Sequence, residues 1–196
     1  MEKRKKFFNK MASVWDELDI PSSENMRIVV KESKIGEEQK ILDVGSGTGV
    51  LIPYILKETG EKSTIYALDY AEEMIKEIKG KKFPENVIPV LGDIQKTSFP
   101  ENFFDRIIVN ACFPHFENKK EVLKEIKRIL KPKGIFVISH PAGRKSVNSC
   151  HKKVHHAVKK DILPPAIALV KTLKSFPFQC MKYIDEESFY LISCVK

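Results

Sequence analysis

Between an apolar run and an amphipathic one lies Ile41-Leu-Asp-Val-Gly-Ser-Gly-Thr-Gly-Val50, with an acid just ahead of three spaced glycines. Glycines between a strand and a helix let a ligand press against bare backbone. The helix start behind them offers free N–H groups and a positive dipole end. The spacing is G-x-G-x-G, and Val50 stands where a dinucleotide fingerprint would carry its third glycine. A phosphate-cradling loop would end in Gly-Lys-Ser/Thr, which is absent here. Asp43 inside the segment suits a ligand carrying an ammonium better than a pyrophosphate. Asp69, 24 residues after Gly45, is placed to accept two ribose hydroxyls. Asp93, in Leu91-Gly-Asp-Ile94, can accept from an exocyclic adenine amine while Ile94 packs the ring.

Histidines form a second group able to do chemistry. His115 follows the fourth strand-like run, His140 follows the fifth, and His151, His155 and His156 come soon after. Each is a possible general base, and several together are possible metal ligands. His155 and His156 stand among lysines, which reads as a solvated helix face. Arg144, four residues past His140, is placed to clamp an anionic group.

The elements that must position these residues alternate. Apolar strand patterns cover 40–44, 64–68, 87–91, 104–109 and 135–139, and amphipathic helices fall between them. Pro89 cannot donate to a ladder, so the third strand belongs at a sheet edge. The helix over 119–130 should end at Pro132 and Gly134. Strict alternation implies a parallel sheet with helices on both faces. Two further runs, 178–183 and 189–195, read as an antiparallel hairpin. The expected fold is therefore α/β: a doubly wound, mostly parallel, seven-stranded sheet with a C-terminal hairpin. It forms one domain over 1–196, with a helical lid over 1–34 and a cap over 142–175. In the lid, Phe7, Phe8, Met11, Val14, Trp15 and Leu18 make one helical face ended by Pro21. Ser22 or Ser23 caps a second helix over roughly 23–34.

ILDVGSGTG, the acid of YALDYAEEM, the VLGDIQKTSFPENFFDRIIVNA stretch and RILKPKGIFVI together resemble the class I S-adenosylmethionine-dependent methyltransferases. The resemblance covers about 35–140. It implies that Gly45, Ser46 and Gly47 lie against the methionine part of the cofactor. It also implies that Asp69, with Tyr70 beside it, binds the ribose, that Asp93 and Ile94 bind near adenine, and that Asn110 and Ala111 border the sulfonium. Lys133-Gly134 replaces the family's usual double glycine, in a turn far from the cofactor. The loop Asn110-Ala-Cys-Phe-Pro-His-Phe116 lacks the Asn/Asp-Pro-Pro-Tyr/Phe signature of amino-group enzymes and the Pro-Cys pair of pyrimidine C5 enzymes. Cys112 is accordingly read as a packing residue. The catalytic set expected at the methyl acceptor is His115, His140, Arg144 and His151, with metal binding by the histidines left open.

Charge and composition bound the partners. Lys and Arg outnumber Asp and Glu by 34 to 26, a net charge of +8. The excess gathers in residues 1–10 and 151–182. A basic face can draw RNA, although no RNA-binding motif is appended. A small-molecule acceptor is expected, with an RNA acceptor or a non-catalytic cofactor-binding protein as alternatives. No apolar run reaches the roughly 20 residues a bilayer requires, and no signal-peptide pattern is visible, so a cytoplasmic setting is expected. Cys112, Cys150, Cys180 and Cys194 contain no C-x-x-C pair and are read as reduced thiols.

Overall fold

The computed structural model describes residues 2–18, 22–154 and 156–196. Its sheet has five parallel strands, β1 (Lys40–Val44), β2 (Thr64–Asp69), β3 (Val87–Leu91), β4 (Phe104–Asn110) and β5 (Leu130–His140). The hairpin β6 (Gln179–Asp185) and β7 (Tyr190–Val195) joins β5 antiparallel through β7. The order is β3-β2-β1-β4-β5-β7-β6. This is the doubly wound, mostly parallel sheet expected from the alternation, with β3 and its Pro89 at an edge. Strand order reverses between β1 and β4, and ligands of such folds bind at the carboxyl ends there.

Side chains alternate between the two faces of each strand. Leu42, Val44, Ile107, Val109, Phe136 and Ile138 point into a core shared with α6 (Lys119–Ile129) and α8 (Ala166–Lys174). Ile41, Ile65, Ala67, Ile108 and Val137 point the other way, against α3 (Ser23–Glu32), α4 (Ile52–Thr59) and α5 (Glu72–Gly80). Ser22 caps α3 by accepting from the backbone N–H of Asn25 at 3.4 Å. Asn118 caps α6 through the N–H of Glu121 at 3.3 Å. Both α3 and α8 therefore belong to the core layers. The polypeptide over the carboxyl ends of the strands is α1 (Glu2–Met11), a 3₁₀ turn (Ala12–Val14), α2 (Trp15–Leu18), α7 (Arg144–Lys153) and the segment after it.

Three expectations are corrected. The first helix is not continuous over 7–18: it starts at Glu2, ends at Met11 and tightens into the 3₁₀ turn before α2. No residue of α1 is buried, so no core contact enforces a single helical face there. Pro21, expected to end it, lies outside the described residues, as does the side chain of Leu18. Strand β5 starts at Leu130, because Phe104 pairs with Leu130 before the register shifts and Arg106 pairs with Ile135. The Pro132–Gly134 stretch is thus an irregular strand entrance, with Lys133 at φ 62°, and α6 ends at Ile129. Finally, Cys180 and Cys194 face each other across β6 and β7 and form a disulfide. Their 14-residue separation matches no local cysteine motif, since the hairpin alone brings them together. Cys112 and Cys150 are free thiols.

Candidate cofactor and acceptor site

The glycine loop is held from below by β2. The N–H groups of Gly45 and Ser46 both donate to the carbonyl of Leu68, at 2.8 and 3.1 Å. Gly45 sits at φ +66°, and a Cβ there would come within 2.6 Å of the Cys112 Sγ. Only glycine fits this close approach without strain. Gly47 donates its N–H to Asp69 Oδ2 at 2.9 Å, and Ala71 donates to Asp69 Oδ1 at 2.9 Å. Asp69 is thereby locked beside the loop, with lone pairs left for a ligand's hydroxyls. Burial raises its pKa, and the backbone N–H groups of Ala71, Gly47 and Tyr70 oppose that rise.

Asp43 is the residue best suited to a ligand's positive group. It is 2% exposed, and its Oδ2 has no hydrogen-bond partner among the described residues. Burial, with Asp69 nearby, pushes its pKa up to about 7. A buried carboxylate without a partner is costly unless a ligand supplies a positive group. Asp93 lies at the next strand end, with its two oxygens accepting from the N–H and Nε2 of Gln95 at 2.9 and 3.0 Å. Ile94 is buried beside it, and Tyr70 lines the same cavity. At the end of β4, Ala111 adopts φ 56°, an uncommon conformation for a residue with a side chain. Its N–H donates to the carbonyl of Ser139 at 2.8 Å, and Asn110 Oδ1 accepts from the Ser139 hydroxyl at 2.9 Å. The Cys112 thiol donates to the Val44 carbonyl at 3.0 Å, and burial pushes its pKa up. A thiol in that state is a poor nucleophile.

Asp43, Gly45, Ser46, Gly47, Asp69, Tyr70, Asp93, Ile94, Asn110, Ala111 and Cys112 line one cavity of about 630 Å³. Its far wall is apolar: Phe7, Phe8, Met11 and Trp15 from the N-terminal helices, and Val147, Val154 and Val158 from α7 and beyond. His115, His140 and His151 also line it. His115 Nδ1 lies 2.8 Å from Asp161 Oδ2. Although burial works to raise it, the Asp161 pKa is held down to about 2 by hydrogen bonds from His115 and Arg4. The carboxylate can therefore only accept, so Nδ1 carries the proton and Nε2 is the free acceptor. His151 donates Nδ1 to the carbonyl of Asp161 at 2.6 Å, with its ring 4.8 Å from that of His115. His140 is 4% exposed, and its Nε2 has no partner among the described residues. Burial brings its pKa down to about 3, so it is neutral at physiological pH.

Arg144 does not reach the cavity. Its Nε donates to both oxygens of Asp185 at 3.0 Å, at the end of β6. The expectation of an Arg144 clamp is corrected: its side chain is held against the hairpin, while Ser146 and Val147 of the same turn face the cavity. Among the described residues, no group of three or more His, Cys, Asp or Glu side chains is arranged to hold a metal ion. His155 lies outside the described residues, and His156 is exposed. Asp161 was missed. It is the lone acid in the lysine-rich 151–182 segment, and that isolation is the signal that would have singled it out.

A glycine loop at the switch point, with acids ending β1 and β2 and another just past β3, defines a doubly wound fold for a nucleoside-bearing cationic cofactor. The methyltransferase-domain family model matches residues 42–138. A malonyl-[acyl-carrier protein] O-methyltransferase of Priestia megaterium is 31% identical over 159 residues, covering 80% of this chain and 57% of that one. A ubiquinone/menaquinone biosynthesis C-methyltransferase of Paraburkholderia phymatum is 29% identical over 111 residues, covering 56% and 46%. The chain spans about half the length of these curated relatives. A solved S-adenosylmethionine-dependent methyltransferase from Aquifex aeolicus superposes with a TM-score of 0.74 at 25% identity, covering 94% of this chain and 96% of that one. The chain belongs to the class I S-adenosylmethionine-dependent methyltransferase family, and its cofactor is S-adenosylmethionine. The residues present fit that molecule: the unpartnered Asp43 suits its ammonium, and the bare glycine backbone leaves room for its methionine part.

Proposed function

We propose that this protein transfers the methyl group of S-adenosylmethionine to a small, largely apolar molecule that bears an ionisable hydrogen. The observation that carries this reading is a single cavity in which the glycine loop and an apolar chamber containing His115 are continuous. Two matched relatives are named for quinone biosynthesis and for malonyl-[acyl-carrier protein], neither a nucleic-acid acceptor, which supports this reading over an RNA acceptor. The bound cofactor supplies a methyl group on a sulfonium, already an excellent leaving group. The protein has to bind, align and exclude water.

In this reading Asp43 pairs with the ammonium, Asp69 and Tyr70 meet the ribose, and Asp93 and Ile94 meet the adenine. Gly45, Ser46 and Gly47 face the methionine part, and Asn110 and Ala111 border the sulfonium. The acceptor lies between the sulfonium and the histidines. His115 Nε2 takes the acceptor's proton, and the electron pair so freed would go to the methyl group that the cofactor would supply, with the sulfur as leaving group. Asp161 holds the resulting imidazolium through Nδ1. His140, neutral and unpartnered, offers a hydrogen bond to the acceptor. Phe7 and Phe8 of α1, with Trp15 of α2, keep water out.

A methyl-transfer screen with labelled cofactor over metabolite and RNA pools tests the reading. Label is expected in a metabolite. The exposed Lys152, Lys153, Lys159 and Lys160 are treated as a solvated face. Replacing all four with Gln should leave that transfer intact. Label in RNA, falling steeply with salt and lost in the lysine variant, would instead make the basic face an RNA-binding surface. Cofactor binding with no label in either pool would make the protein a sensor of the cofactor.

A further inference from the structure

Arg4 and Asp161 are 157 positions apart, yet they form the most elaborate ion pair touching the cavity. Arg4 Nε donates to Asp161 Oδ1 and Oδ2 at 3.1 and 2.9 Å, and its terminal nitrogen donates to Oδ1 at 2.6 Å. The Asp161 side chain is 2% exposed. Its Oδ2 is the same atom that receives His115 Nδ1, and its carbonyl receives His151 Nδ1. One residue therefore joins two cavity histidines to the N-terminal helix.

That helix is lightly held. None of its residues is buried. Besides Arg4, it meets the body through the Lys5–Glu72 ion pair, the bonds between Asn9 and the start of α5, and Phe8, which packs against Ala71 and Met74 and meets Tyr70 and His115 edge to face. Its inner side forms one wall of the cavity. Elements with few buried contacts open at low free energy.

We propose that docking of α1 arms His115: Arg4 fixes the Asp161 carboxylate, and Asp161 fixes the tautomer and orientation of the imidazole. Arg4 and Asp161 are positioning residues, and their importance for turnover rests on the methyl-transfer reading above. Burial under α1 and the Arg4 charge both disfavour the imidazolium, while Asp161 favours it. His151 on α7 also works against a charged His115 ring, Lys119 on α6 adds positive charge near Asp161, and Glu117 adds negative charge facing Arg4. His140 and Tyr70 complete the titratable groups around the ring. With α1 docked, His115 is neutral, Nδ1–H is committed to Asp161, and Nε2 is bare. With α1 away, the guanidinium leaves, water enters and the ring takes up a proton, so it cannot act as a base.

The test is nitrogen-detected NMR of the imidazoles across pH in the full chain, for wild type, Arg4→Gln, Arg4→Lys and Asp161→Asn. Wild type should show His115 protonated on Nδ1 only at neutral pH. Arg4→Gln should move its titration upward, Arg4→Lys should stay near wild type, and Asp161→Asn should move it downward. Mere loosening of the fold would move both Arg4→Gln and Asp161→Asn upward toward the ordinary histidine value, so the opposed signs separate the relay from instability. A His115 titration unchanged by Arg4→Gln, or not lowered by Asp161→Asn, overturns the proposal. S-adenosylhomocysteine affinity, measured on the same samples, should be unchanged. If wild type fails to bind it, the methyltransferase reading falls while the imidazole data still decide the relay.

Discussion

Asp43→Asn is expected to stabilise the cofactor-free protein above neutral pH and to remove most of its affinity for S-adenosylmethionine. The Asp43 carboxyl titrates at about 7 in the folded protein against 3.8 ordinarily. As pH rises between those values, the unfolded chain ionises first, so folding stability falls and stays low above about 7. Full ionisation costs on the order of 4 kcal/mol in the absence of a ligand. Asparagine avoids that cost but offers no anion to the ammonium, which should weaken cofactor binding by about 2–3 kcal/mol. Urea unfolding of both proteins at pH 5 and pH 8 checks the first part. The variant's advantage should be several kcal/mol at the higher pH and much smaller at the lower. Comparing the two proteins at each pH isolates Asp43 from His140, which acts oppositely. His140 is buried neutral with its pKa near 3, so it removes stability as pH falls below the ordinary histidine range. Equal stability of the two proteins at pH 8 would mean that Asp43 is not an uncompensated charge.

His115→Ala is expected to lower kcat about 10²–10⁴-fold on the acceptor found by the labelled screen, with cofactor affinity nearly unchanged. His115 has a carboxylate that fixes its tautomer and a bare Nε2 in the cavity. His140 has no such partner among the described residues, so His140→Ala should lower kcat less than His115→Ala does. Single-turnover kinetics with saturating cofactor separates the two variants. A His115→Ala enzyme with wild-type kcat would remove the base from the mechanism.

The parts of this site that sequence makes legible are local. The Gly45–Gly49 loop, Asp69 and Asp93 each sit at the end of an apolar strand pattern, so their placement at one edge follows from the alternation of strands and helices. His115 and His140 follow β4 and β5 for the same reason. Arg144 also follows β5, but helix phase and the distant Asp185 turn its side chain toward the hairpin. What joins Arg4 to Asp161, or Cys180 to Cys194, is tertiary closure, and no spacing rule encodes it. The break after Met11 is of the same kind. An apolar stripe over 7–18 specifies a helix only if a core receives it, and here Phe7, Phe8, Met11 and Trp15 wall a cavity instead.

Calorimetry with S-adenosylhomocysteine, the demethylated product of S-adenosylmethionine, shows whether the Gly45–Gly49 site takes this cofactor. Wild type should bind the product with micromolar-scale affinity and give no heat with NAD. Asp69→Ala should bind the product more weakly by roughly 1–3 kcal/mol, the effect of leaving ribose hydroxyls unpaired. Tight NAD binding with no heat from S-adenosylhomocysteine would contradict the account.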